Sequence, residues 1–188
     1  KGNAVAMNRI GSLYYYGEGV DKNYSKAFEW QTKSAEKGSV DAIGSLSYLY
    51  SSGEGVTQND VKAFEINTKL AEKGSIDGVF RNAVDYLHGY GTDKNYSKSF
   101  ELFKIAAFKR DAAAMYWLGN FYEIGRGINQ DYSKAMEWYM LSIDYESMET
   151  KSHVARSMGR IAGLYFTGKG VEINFKKSID SLILFNSA

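Results

Sequence analysis

Apolar residues fall three and four positions apart in blocks along the chain, as in Ala114, Trp117, Leu118, Phe121 and Tyr122, or Ala135, Trp138 and Leu141. That spacing marks one face of a helix, and no segment keeps the alternation of a strand. The pattern predicts helices throughout, broken by short polar stretches that carry glycine.

The breaks are regular. Gly17-Glu18-Gly19-Val20 returns as Gly53-Glu54-Gly55-Val56, Gly89-Tyr90-Gly91-Thr92, Gly125-Arg126-Gly127-Ile128 and Gly168-Lys169-Gly170-Val171, in three steps of 36 residues and one of 43. Three residues before each pair stands Tyr14, Tyr50, Tyr86, Tyr122 or Tyr165, and nine after its first glycine stands Lys26, Lys62, Lys98, Lys134 or Lys177. Between them lies Asn23, Asn59, Asn95, Asp131 or Asn174, and after the lysine a small residue, Ala27, Ala63, Ser99, Ala135 or Ser178. Such periodicity identifies stacked supersecondary units.

Each copy reads as two helices. The first stops at the glycine pair, where a left-handed residue satisfies the last carbonyls. The Asn or Asp column then offers a side-chain oxygen to the free amides of the second helix. Small residues after the lysine let helix backbones approach closely, and Gly38 or Gly74 closes the unit. The recurrent Lys and Glu of the second helix are expected on its solvated outer face. The 7 extra residues before the last copy, around Tyr145 to Lys151, either lengthen a helix by about two turns or form a longer loop.

The combination of Leu118-Gly119, Tyr122, Gly125-Arg126-Gly127-Ile128, Lys134-Ala135 and Trp138-Tyr139 resembles the Sel-1-like repeat, a relative of the tetratricopeptide repeat. Ile10-Gly11, Tyr14, Gly17-Glu18-Gly19-Val20, Lys26-Ala27, Trp30 and Ala35 match it as well. The third copy departs most, with Asn82-Ala83 for Leu-Gly and Thr92 for Val. The resemblance implies an all-α, right-handed superhelical solenoid of about five hairpins, forming a single array over residues 1–188. Its copies span approximately 4–38, 39–74, 75–110, 111–152 and 153–188. It also implies adaptor, receptor or assembly roles, in settings that include bacterial host interaction, envelope regulation, toxin immunity and degradation complexes.

By analogy with tetratricopeptide packing, the first helices line a concave face. The positions expected there include Asn8, Ser12, Tyr15 and Tyr16, then Gly44, Tyr48 and Ser51, then Phe80, Val84 and His88. Tyr116, Asn120 and Glu123 follow from the fourth copy, and Gly159, Gly163 and Phe166 from the last. The aromatics of this stripe suit the anchoring of a peptide or loop, since Tyr and Trp dominate interface hot spots. Rings that fill gaps between hairpins are the competing explanation.

Composition narrows the field. The 188 residues hold 23 Lys and Arg against 22 Asp and Glu, interspersed, which provides no basic stripe for nucleic acid or an anionic membrane. With 15 Tyr, 10 Phe and 3 Trp the chain has the aromatic content of a folded domain. It has no cysteine, so neither disulfides nor thiolate metal sites arise, and no proline, which suits helices joined by glycine turns. No apolar run reaches membrane-spanning length and the start lacks a signal peptide's apolar centre, so the covered chain is expected to be soluble.

His88 and His153 are the only histidines and lack a second ligand at metal spacing. The Gly-x-Gly segments follow helices rather than strands, so they read as turns, not phosphate loops. Asn23-Tyr24-Ser25 and Asn95-Tyr96-Ser97 match glycosylation sequons but occupy the capping column. We therefore assign no catalytic residue, cofactor or metal site, and expect a protein or peptide as partner. A binder of small ligands or cell-wall fragments with hydrolase activity is the alternative. The chain is expected to be an excerpt of a longer array, because Lys1-Gly2-Asn3 repeats the closing columns Lys37-Gly38-Ser39. Apolar ends that include Val5, Met7 and Ile10, and Phe175, Ile179, Leu182, Ile183 and Phe185, suggest end-to-end association.

Overall fold

The computed structural model describes residues 3–145 and 151–187, with side chains through residue 181. Lys1, Gly2, the middle of the expected insertion, and the side chains of Leu182, Ile183 and Phe185 lie outside the described residues. Among the described residues there are ten helices and no strand. They are α1 (Ala4–Tyr16), α2 (Tyr24–Glu36), α3 (Val40–Ser52), α4 (Asp60–Glu72), α5 (Ile76–His88), α6 (Tyr96–Phe108), α7 (Ala112–Ile124), α8 (Tyr132–Asp144), α9 (Lys151–Thr167) and α10 (Phe175–Ser187). No helix among them is long and apolar enough to cross a membrane. The chain divides into two compact units, the first ending at Asn95 and the second beginning at Tyr96.

The turn chemistry follows the columns. Gly17, Gly53, Gly89 and Gly125 cap their helices in the left-handed region, with φ of 77°, 75°, 80° and 73°. The Asn column does two jobs. Its side-chain oxygen accepts the amide three residues on, as in Asn23 with Lys26 and Asn174 with Lys177, both at 2.9 Å. Its own amide donates to the carbonyl of the tyrosine column, from Asn23 to Tyr14 at 2.8 Å through Asn174 to Tyr165 at 3.0 Å, which latches the two helices of the first, second, fourth and fifth hairpins.

The lysine column is exposed, as expected of the outer face, and also reaches a neighbouring ring. Lys26, Lys62, Lys134 and Lys177 place their ammonium groups over the rings of Tyr14, Tyr50, Tyr122 and Tyr165, 5.1 to 5.5 Å from the centroids. Each pair clips the first helix of a hairpin to the second by a cation–π contact. The small column lies at the centre, with Ala27 and Ala135 at 0% exposure.

The second glycine of each pair serves contact between neighbouring repeats. In the first unit, a Cβ on Gly55 would overlap the Tyr24 carbonyl, and one on Gly91 the Asp60 carbonyl. In the second unit, a Cβ on Gly170 would lie 2.6 Å from Tyr132 Cβ. Only glycine lets a turn lie against the start of the preceding second helix. Gly38 and Gly74 close their units with positive φ, and Arg110 holds the equivalent position at φ 67°.

The insertion lengthens a helix. α9 has 17 residues where the other helices have 13, so part of it adds a turn at the start of that helix. Residues 146–150, the rest of the insertion, lie outside the described set.

Candidate functional site

In the first unit, side chains of three successive first helices meet around a cavity of about 570 Å³. Tyr15 and Tyr16 come from α1, Gly44 and Tyr48 from α3, and Asp77 and Arg81 from α5. Tyr15 is the hub. Its ring meets Tyr16 edge-on at 4.9 Å and Tyr48 edge-on at 6.0 Å, and tilts against Tyr24 at 5.3 Å. Its hydroxyl donates to Glu54 Oε2 at 2.9 Å, which ties the cluster to the Gly53-Glu54-Gly55 turn. Burial raises this hydroxyl well above the ordinary phenol range, and hydrogen bonds with Tyr48 and Glu54 add to the rise. Tyr16 and Tyr48 remain 64% and 43% exposed. The floor beside them is low, because a Cβ on Gly44 would meet nothing closer than Asp77 Oδ2 at 3.8 Å.

A second cavity of about 540 Å³ shares Asp77 and Arg81 with the first and is lined further by Phe80, Val84 and Asp85. Asp85 is 8% exposed, and its Oδ2 accepts a hydrogen bond from Asn67 Nδ2 at 2.7 Å. Asn67 Oδ1 in turn accepts from Ser47 Oγ at 2.6 Å, so a polar chain crosses α3, α4 and α5. Burial lifts the Asp85 carboxyl to about 6; the Asn67 hydrogen bond and the Arg81 charge oppose the rise, and Asp60 adds to it. This buried acid escaped the sequence reading, although Asp85 stands where the other copies carry Leu13, Leu49, Phe121 and Leu164.

Of the expected stripe, the first unit thus brings together Tyr15, Tyr16 and Tyr48, with Phe80 in the adjoining cavity. Asn8 is half-buried; its carbonyl accepts from the Gln31 amide at 3.3 Å. His88 is exposed and stacks on Tyr90 at 5.2 Å.

The second unit treats the same columns differently. Tyr116 is 6% exposed and packs with Ala135, Met136, Tyr139, Ile161 and Leu164, so this ring is core rather than open face. The added turn of α9 also carries His153 to 5.6 Å from the Tyr116 ring. His153 is accordingly half-buried rather than a surface residue, and burial lowers its basicity. Asn120 is 7% exposed. Glu123 accepts the Tyr139 hydroxyl at 2.6 Å and faces Arg160 at 3.6 Å, an internal tie. Phe166 is 60% exposed and meets Phe175 edge-on at 5.6 Å. Among the described residues no group of His, Asp and Glu is arranged to hold a metal ion.

The chain matches the family model described as Sel1 repeat over residues 4–39, 40–75, 78–107, 112–143 and 155–180. It is similar to a Sel1 repeat protein from Oxalobacter formigenes, with a TM-score of 0.87 and 26% identity over 98% of this chain and 73% of that one. It is also similar to c5321, a protective antigen of uropathogenic Escherichia coli with this repeat fold, at a TM-score of 0.80 and 30% identity. That match covers 99% of this chain and 38% of c5321. No curated protein sequence matches the chain.

Proposed function

Since the chain belongs to the Sel1 repeat family, whose members are in general protein-interaction scaffolds, we propose that it is a non-catalytic module that grips an extended segment of a partner protein in the aromatic groove of its first unit. The observation that carries this reading is the convergence of Tyr15, Tyr16 and Tyr48 on one open cavity. Rings held in place by one another lose little freedom on binding and still have apolar surface to bury. Gly44 leaves room for a backbone to lie close between them. The setting we favour is contact with a host, in line with the description of c5321 as a protective antigen.

The test starts with the partner, recovered from the native host and purified. Tyr48→Ala should weaken its binding by more than about 1 kcal/mol while leaving the melting temperature nearly unchanged. Unchanged affinity would refute the groove. Saturable heat on titrating cell-wall fragments, lost in Tyr48→Ala, would favour the small-ligand alternative instead.

A further inference from the structure

A carboxylate in a core column needs a reason. The residues equivalent to Asp85 include Leu49, Phe121 and Leu164, each 1 to 2% exposed. Its partner Asn67, on the second helix of the preceding repeat, stands in a buried column with Gln31, Phe103 and Tyr139, at 3%, 0% and 0%. The third repeat has therefore exchanged an apolar core position for an acid, which meets an amide of the second repeat beside a cavity. Burying a carboxylate costs several kcal/mol unless a counter-charge accompanies it.

The chain supplies only a partial counter-charge, the Arg81 guanidinium, which opposes the rise of the Asp85 carboxyl. Among the described residues no ion pair includes Asp85, and the nearby Arg81 directs Nε to Asp77 Oδ2 at 2.7 Å. Three carboxylates, Asp60, Asp77 and Asp85, line the cavity against that one guanidinium. The walls are not wholly polar, since Phe80, Val84 and Ala63 contribute apolar surface. An acid at the base, an aromatic ring and aliphatic sides suit a ligand with an alkyl stem and a cationic head.

We propose that the cavity at Asp85 receives the guanidinium or ammonium head of an Arg or Lys side chain borne by the segment held in the aromatic groove. The inference rests on the groove reading, because the two cavities share Asp77 and Arg81 and one chain can run through both. Head-group binding should also depend on pH. Asp85 titrates near 6, facing Asp60 from α4, Asp77 and Arg81 from its own helix, and the Tyr90 phenol from the following turn. A cation binds its ionised form, so affinity rises from acid pH through 6 and then levels off.

The experiment uses the full chain, labelled with ¹⁵N, and four probes: the acetyl amides of arginine, lysine and citrulline, and agmatine. The arginine and lysine amides should shift the backbone amides of Asn67, Val84 and Tyr90. Citrulline, which has arginine's shape without its charge, should bind about ten-fold more weakly, as should the arginine amide to Asp85→Asn; a charge-assisted hydrogen bond is worth about that factor. Asp85→Asn keeps an acceptor for Asn67, and its melting temperature at neutral pH should not fall. Equal binding of citrulline and arginine, or undiminished binding by a folded Asp85→Asn, would overturn the proposal. Agmatine binding more tightly than the arginine amide would overturn the chain-borne source in favour of a free amine. The groove fails separately: Tyr48→Ala would leave partner affinity intact while the arginine amide still titrated at Asp85.

Discussion

Two glycines with the same backbone conformation should tolerate alanine very differently. Gly19 and Gly91 have φ of 72° and 66°, so an alanine at either is held in the left-handed region at a cost of about 1–2 kcal/mol. Around Gly19 a Cβ would meet nothing within 4 Å. On Gly91 it would overlap the Asp60 carbonyl and lie 2.9 Å from Phe64 Cβ, both on the preceding second helix. Backbone cannot swing aside as a side chain can, and relieving such a clash adds about 1–3 kcal/mol. Gly91→Ala should therefore lose about 2–5 kcal/mol in all. For a chain of this length each kcal/mol lowers the melting temperature by about 2–4 °C. Thermal unfolding followed at a helical circular-dichroism band, with both variants and wild type in one buffer, makes the comparison. Equal melting of Gly19→Ala and Gly91→Ala would refute the role given to the second glycine at the repeat interface.

Because the folded Asp85 carboxyl titrates near 6 against an ordinary 3.8, its burden is absent below about pH 4 and complete above 6, reaching about 3 kcal/mol. Denaturant titrations of wild type should accordingly lose stability across that window relative to Asp85→Asn; parallel curves would count against a buried acid. Ala135→Leu overfills a site with 0% exposure and should cost about 1–3 kcal/mol in the same titration, whereas wild-type stability would place Ala135 outside the hairpin core. Lys62→Gln removes the cation over Tyr50 and should cost about 0.5 kcal/mol in the wild-type background but nothing in Tyr50→Leu, a double-mutant cycle that reads the contact directly. Tyr116→Ala should lower the melting temperature markedly, unlike Tyr48→Ala, since only the first ring belongs to the core.

The hairpins were legible because each column answers one local requirement repeatedly: glycine for left-handed backbone, Asn for a free amide, alanine for close helices. Relations between columns were harder to read. Lys26 and Tyr14 lie on different helices, so nothing in the spacing along one helix reports that the ammonium covers the ring. The aromatic stripe was readable at Tyr15, Tyr16 and Tyr48 but not at Tyr116, which is buried by residues of two other helices, among them Tyr139 of α8 and Ile161 of α9, that spacing along α7 does not report. Asp85 carried a signal of its own, an acid in a column of leucine and phenylalanine. What it meant physically emerged only once Asn67, Ser47 and the cavity stood beside it.

The central claim is that the partner lies in the groove of the first unit. A photo-crosslinking residue in place of Tyr16, 64% exposed at the groove, or of Glu65, exposed on α4 and outside the groove lining, compares the two surfaces on the same protein. With the purified partner, crosslinking is expected at position 16, competed by unlabelled wild type and weakened by Tyr48→Ala, and little at position 65. Equal yield at both positions, or crosslinking at position 16 indifferent to Tyr48→Ala, would contradict the account.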